Sequence, residues 1–146
     1  MAPYDNSDDT RSARNLTQEP RVRILIVEDA PLVQKMYRLV FSPRQHELVM
    51  AANGIEGLKL LDQAATPFDL ILLDLRMPDM DGAEFIGRVR AGPWSAVPVI
   101  LTTAEPDDSP LMQQARARGA TVTVRKPWKP QELRDAVSAL LGGSHP

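Results

Sequence analysis

Four short apolar runs of this chain, VRILIV, LILL, VPVIL and TVTV, each lead into residues that could do chemistry. Glu28 and Asp29 follow the first, Asp74 the second, Thr102 and Thr103 the third, and Lys126 with Pro127 the last. Carboxylates gathered at one edge repel one another, so such a cluster holds a cation or carries raised pKa values. Oxygen donors with no histidine beside them favour Mg2+ over zinc or copper. His46 and His145 both lie elsewhere in the chain. A lysine and a hydroxyl on the same edge supply a positive charge and a donor for phosphoryl oxygens. With a carboxylate nucleophile, these groups together can accept a phosphoryl group. Each residue alone has an ordinary reading: an acidic pair caps a helix, a threonine does likewise, a lysine sits on the surface. Their coincidence at four strand ends points to phosphoryl chemistry, and the remaining strand end offers only Asn53.

The elements that must bring these residues together follow from hydrophobic periodicity. Strands are expected at Val22–Val27, Leu48–Ala51, Leu70–Leu73, Val97–Leu101 and Thr121–Val124. Leu32, Val33, Met36, Tyr37 and Val40 recur at helical spacing, with Pro31 suited to a first turn. A second helix is expected over Gly54–Ala65, and a third follows the Asp81-Gly82 turn through Phe85, Ile86 and Val89. Ser109-Pro110 reads as a cap and first-turn proline, with Gly119 closing that helix in the left-handed conformation. Leu133, Val137, Leu140 and Leu141 mark the last helix, stopping at Gly142-Gly143. Strict β–α alternation implies a doubly wound parallel sheet with helices on both faces. In such a sheet the site lies outside the carboxyl ends of the strands.

A length of 146 residues suits one domain with its own core. Residues 1–20 are polar with almost no large apolar groups, and are expected to form a disordered tail. The globular part is expected over 21–141, with a short tail at 142–146. The net charge of −2 gives no reason to expect direct nucleic-acid binding. Cysteine is absent, excluding disulfides and thiolate chemistry and fitting a cytoplasmic setting. No apolar run approaches the roughly 18 residues of a membrane span. Neither a phosphate-binding G-x-x-x-x-G-K-[ST] loop nor a G-x-G-x-x-G turn is present.

In order and spacing, ILIVED, LILLDLRMPDMDG, VILTTAE and VRKPW resemble the motifs of response-regulator receiver domains of two-component signalling. The resemblance spans about Arg21 to Leu141, and the layout is similar to stand-alone chemotaxis-type regulators. It implies a flavodoxin-like, five-stranded parallel sheet of order 2-1-3-4-5 with five helices. It also implies that Asp74 is the phosphoacceptor and that Glu28, Asp29, Asp74 and the main-chain carbonyl of Arg76 hold Mg2+. Thr103, which is followed by Ala104 and Glu105, matches the switch hydroxyl. Lys126 would contact the phosphoryl group, and the Lys126–Pro127 peptide would be cis. The implied partners are a sensor histidine kinase or phosphotransfer protein and a downstream target protein, and a homodimer through the face of the fourth helix, fifth strand and fifth helix is a further expectation. The protein would then act as a switch rather than an enzyme with turnover.

Two features are particular to this chain. Thr123 stands where the family often has an aromatic switch residue, so the output is expected to depend more on the loop after Thr103 and on Trp128. Arg76 and Glu105, each two residues past a pocket residue, are expected to pair as a gate across the site entrance. Two other readings use the same residues. A phosphatase of the haloacid dehalogenase type needs an acid two residues after its nucleophile, where this chain has Arg76. A receiver-like interaction module that is never phosphorylated is the other, and the loss of the aromatic at position 123 is its only support.

Overall fold

The computed structural model describes residues 21–142, so the expected tail at 1–20 and residues 143–146 lie outside the described part. Five strands run β1 (Val22–Val27), β2 (His46–Ala51), β3 (Leu70–Asp74), β4 (Val99–Thr103) and β5 (Val122–Arg125). Five helices alternate with them: α1 (Pro31–Val40), α2 (Gly54–Asp62), α3 (Gly82–Arg90), α4 (Pro110–Ala117) and α5 (Pro130–Leu140). All strand pairs are parallel, in the order β2-β1-β3-β4-β5. The fold class is the one expected.

The central strands β1, β3 and β4 bury both faces, which is why they read as nearly continuous apolar runs, while the edge strands β2 and β5 are only partly covered. Leu25, Val27, Ile71, Leu73, Val99 and Leu101 face a core filled by Phe85, Ile86, Val89 and Met112 from α3 and α4. Ile24, Ile26, Leu70, Leu72, Ile100 and Val124 face the other, filled by Tyr37, Val40, Leu133 and Val137 from α1 and α5. The alternation of strand side chains decides which face each strand-end residue continues.

Side-chain caps start the central helices. Asn53 accepts from the Glu56 amide at 2.8 Å, Asp81 from Glu84 at 2.9 Å and Ser109 from Met112 at 3.1 Å. Asn53 is thereby used as a cap and adds nothing to the chemistry. A side chain at position 82 would meet the Leu75 Cα at 2.9 Å, so only glycine lets α3 start against the end of β3. Gly119 takes φ +112°, as expected for a residue closing α4.

Three elements depart by two residues or more from the bounds read off the sequence. β2 begins two residues early, because His46 and Glu47 pair with Val22 and Arg23 although their polarity hides them from a hydrophobicity pattern. β4 begins two residues late, since Pro98 has no N–H to give the ladder, and it runs on through both threonines. α2 stops at Asp62 rather than Ala65, ahead of Thr66-Pro67, where the residue before proline is steered away from helix.

Arg90 ties the bottom of this frame together. Its guanidinium donates to the carbonyls of Val97 (2.6 Å), Ser95 (3.1 Å) and Gly119 (2.8 Å). Arg90→Met keeps the apolar stem but leaves these carbonyls without a donor. A loss of about 2–4 kcal/mol is expected, because carbonyls lose charge-assisted partners in a half-buried place. Urea unfolding should show it as a midpoint lowered by about 1 M or more. An unchanged midpoint would mean that water serves these carbonyls equally well.

Candidate functional site

Glu28 follows Ile24 and Ile26 on one face of β1, and Asp74 follows Leu70 and Leu72 on the same face of β3. Asp74 is the register partner of Thr102, and Lys126 continues the line of Val122 and Val124. The site is therefore the carboxyl end of the sheet face that α1 and α5 cover. The Lys126 Nζ lies 2.9 Å from Asp74 Oδ1. The Lys126–Pro127 peptide is cis.

Glu28, Asp29 and Asp74 each bring a carboxylate oxygen within 4.8 Å of the others. Glu28 is 2% exposed and Asp74 7%, while Asp29 is open to solvent. Glu28 Oε2 accepts from the Ala30 amide at 3.0 Å. Its Oε1 is buried and, among the described residues, is the one buried side-chain polar atom without a partner. Burial pushes the Glu28 carboxyl up to about 7, and the nearby Asp74 and Asp29 charges add to this. The Asp74 carboxyl is also raised by burial, against the opposing pull of Lys126 and the Arg76 amide. An unpaired buried oxygen inside a carboxylate cluster is what a hard cation would relieve.

The two threonines of β4 point to opposite faces. Thr102 is fully buried on the Asp74 face and directs its hydroxyl to the Leu73 carbonyl at 3.4 Å. Thr103 lies at the strand end on the other face, and its oxygen accepts from the Glu105 amide at 2.8 Å. Its own hydroxyl proton therefore remains available for donation. Arg76 Nε meets Glu105 Oε2 at 2.6 Å, which holds the Glu105 carboxyl below its ordinary value. Thr123 is half-buried, two residues before Arg125, whose guanidinium meets Asp107 at 3.2 Å.

Pattern reading passed over Tyr37. It is 1% exposed, stacked on Trp128 with ring centroids 5.2 Å apart and planes at 18°. Burial raises the pKa of its hydroxyl, as do the Glu28 and Asp74 charges, while Thr102 and Trp128 act the other way. At helical spacing it looks like any core aromatic, so only the tertiary structure shows that it borders the acidic site.

These features define a doubly wound α/β domain with an acidic, lysine-bearing site at the carboxyl ends of its parallel strands. The chain belongs to the response regulator receiver domain family, whose model matches residues 24–138. Sporulation initiation phosphotransferase F of Bacillus subtilis is 31% identical over 82% of this chain and 93% of its own length. Chemotaxis protein CheY4 of Vibrio cholerae superposes with a TM-score of 0.74 at 30% identity, covering 83% of this chain and 99% of that one. The receiver domain of sensor histidine kinase PA1611 from Pseudomonas aeruginosa, solved with a magnesium ion coordinated in its active site cleft, gives a TM-score of 0.75 at 26% identity, covering 84% and 99%. The chain spans about half the length of other relatives, among them the transcriptional regulators KdpE of Mycobacterium tuberculosis (46%) and ResD of Bacillus subtilis (50%). Among the described residues, no helix is long and apolar enough to cross a membrane.

Proposed function

We propose that Asp74 accepts a phosphoryl group from a phosphohistidine on a partner histidine kinase or phosphotransfer protein. The observation that carries this reading is one buried strand-end carboxylate held by Lys126 and crowded by two more carboxylates. An Asp74 oxygen forms the new bond to phosphorus while the donor's P–N bond breaks, and the departing imidazole takes up a proton. Lys126 Nζ, 2.9 Å from Asp74, would hold phosphoryl oxygens, and the Thr103 hydroxyl at the end of β4 would serve as a second donor. Glu28, Asp29, Asp74 and the Arg76 carbonyl would hold Mg2+, as the unpartnered Glu28 oxygen and the magnesium-bound PA1611 relative support. When bound, Mg2+ neutralises charge that builds on the transferring phosphoryl oxygens.

The donor docks beside the site. Leu32 (70% exposed), Met36 and Leu39 (86% exposed) form an apolar stripe on α1, which begins two residues past Asp29, and Ile55 opens α2 with its side chain exposed. Large apolar groups left in water at the mouth of a site mark a protein contact. The product is a switch, read in the cytoplasm by a downstream protein. Incubation with a small acyl phosphate and Mg2+ should add one phosphoryl mass to the intact protein, and none when the metal is chelated. Uptake that ignores chelation would contradict the reading.

The Arg76–Glu105 pair acts as a gate on the lifetime of the acyl phosphate. Hydrolysis needs a water in line with the phosphorus, and a guanidinium two residues past Asp74, tied to Glu105, would obstruct its approach. Arg76 is open to solvent and Glu105 is half-buried, so the pair contributes little to stability and acts through access. Arg76→Ala and Glu105→Ala should each shorten the phosphorylated lifetime roughly two- to tenfold by freeing the water's path. The double variant should be no faster than the product of the single effects. Slower hydrolysis in Arg76→Ala would show that the arginine assists the water, and would remove the gate.

A further inference from the structure

Residue 123 carries no ring, so a different part of the molecule must report the state of Asp74. Tyr37 and Trp128 lie on the other side of the sheet from Thr103. Thr102, the register partner of Asp74, is fully buried on the Asp74 face. Tyr37 of α1 closes that face beneath the carboxylates, and its ring lies against Trp128. Trp128 is half-buried, two residues after the lysine that grips Asp74. It stands at the start of the segment leading into α5. Thr102 on β4, beside the acceptor strand, borders the Tyr37 hydroxyl, and Tyr37 stacks on Trp128, so the three run toward the surface between α1 and α5.

We infer that Thr102, Tyr37 and Trp128 form a relay that carries phosphoryl occupancy at Asp74 to the α1–α5 face. The inference rests on the phosphoacceptor reading of Asp74. When Asp74 carries a phosphoryl group, Lys126 exchanges its carboxylate partner for phosphoryl oxygens. The chain from Lys126 to Trp128 spans only two residues, so a shift of the lysine is felt at the indole. The stack leaves Trp128 little room to move alone, and Tyr37 must re-seat with it. Thr102 sets the floor on which the phenol rests, with its hydroxyl facing that of Tyr37, so the line runs through the two hydroxyls as well as the ring stack. Close packing makes such a line two-state, because neighbours that interlock shift together. Thr102 and Tyr37 are positioning residues in this scheme, since neither exchanges atoms with the phosphoryl group.

The test uses Trp128 as its own reporter. The chain has two tryptophans, and Trp94→Phe leaves Trp128 as the single emitter. In that background, Mg2+ with beryllofluoride, an acyl-phosphate mimic, should change the Trp128 emission, and phosphorylation by a small acyl phosphate should give the same change. Tyr37→Leu, which removes the stack, should abolish the change while intact mass still shows phosphoryl uptake. Tyr37→Phe, which keeps the ring and so guards against a folding defect, should reduce the change at least by half. Thr102→Val, matched in shape without the hydroxyl, should reduce it similarly. A phosphorylated protein with silent Trp128, or a Tyr37→Phe response equal to that of the parent, overturns the relay but leaves the phosphoacceptor reading standing. No added mass in the parent would instead overturn the phosphoacceptor reading, and the relay with it.

Discussion

Asp29→Ala is expected to abolish the rise in melting temperature that Mg2+ brings to the wild-type protein. Asp29 is the exposed member of the carboxylate cluster, so removing it leaves the buried frame of Glu28 and Asp74 in place. The cation is stabilising because it binds the folded arrangement and not the unfolded chain. At a hundredfold excess over the dissociation constant this linkage amounts to about 2.7 kcal/mol. Each kcal/mol corresponds to roughly 2–8 °C in melting temperature for domains near this size. Scanning calorimetry with and without Mg2+ measures the effect directly. An unchanged rise in Asp29→Ala would mean that the metal binds elsewhere.

Glu28→Gln should do the opposite to the metal-free protein and stabilise it. The wild-type carboxyl is buried with one oxygen unpartnered, and its folded pKa of about 7 lies above its ordinary value. A carboxyl raised on folding favours the fold most when it is protonated in both states. Its contribution is fully present at pH values below its ordinary range and is lost as the pH rises through about 7. Glutamine removes that loss, so its advantage should be full above pH 7 and vanish toward pH 4.5. The gain at pH 8 is of the order of 1–3 kcal/mol, since burial dominates the shift. Chemical unfolding at pH 8 and pH 5 in EDTA separates the cases. A Glu28→Gln protein less stable than wild type at pH 8 would mean that the carboxylate has a partner in solution that offsets its burial. The same substitution should weaken the Mg2+ response, because an amide oxygen carries no net charge.

The legible part of this molecule was the part written in short-range patterns. Apolar runs placed all five strands, and the residues just past them placed Glu28, Asp29, Asp74 and Lys126 at one edge. What escaped depends on contacts between distant segments. Nothing local tells Tyr37 from an ordinary core aromatic, because its meaning lies in Trp128, ninety-one positions away, and in a carboxylate cluster from two other strands. The two threonines of β4 are adjacent in sequence but opposite in facing, and the face of each was settled only once the register with β3 was known. Arg90 reads as a solvated charge at a helix end, yet its guanidinium serves carbonyls from two loops. The Arg76–Glu105 pair was legible because both residues sit at fixed offsets from strand ends, and the ion pair forms at 2.6 Å.

The central claim is that the phosphoryl group sits on Asp74, and borohydride trapping tests it most directly. Hydride reduces an aspartyl phosphate to homoserine and leaves free carboxylates untouched. After phosphorylation by a small acyl phosphate with Mg2+, reduction and peptide mass mapping should find homoserine at position 74 alone, and no conversion in Asp74→Asn. Homoserine at Asp29, Asp79 or Asp81, or conversion that persists in Asp74→Asn, would contradict the account.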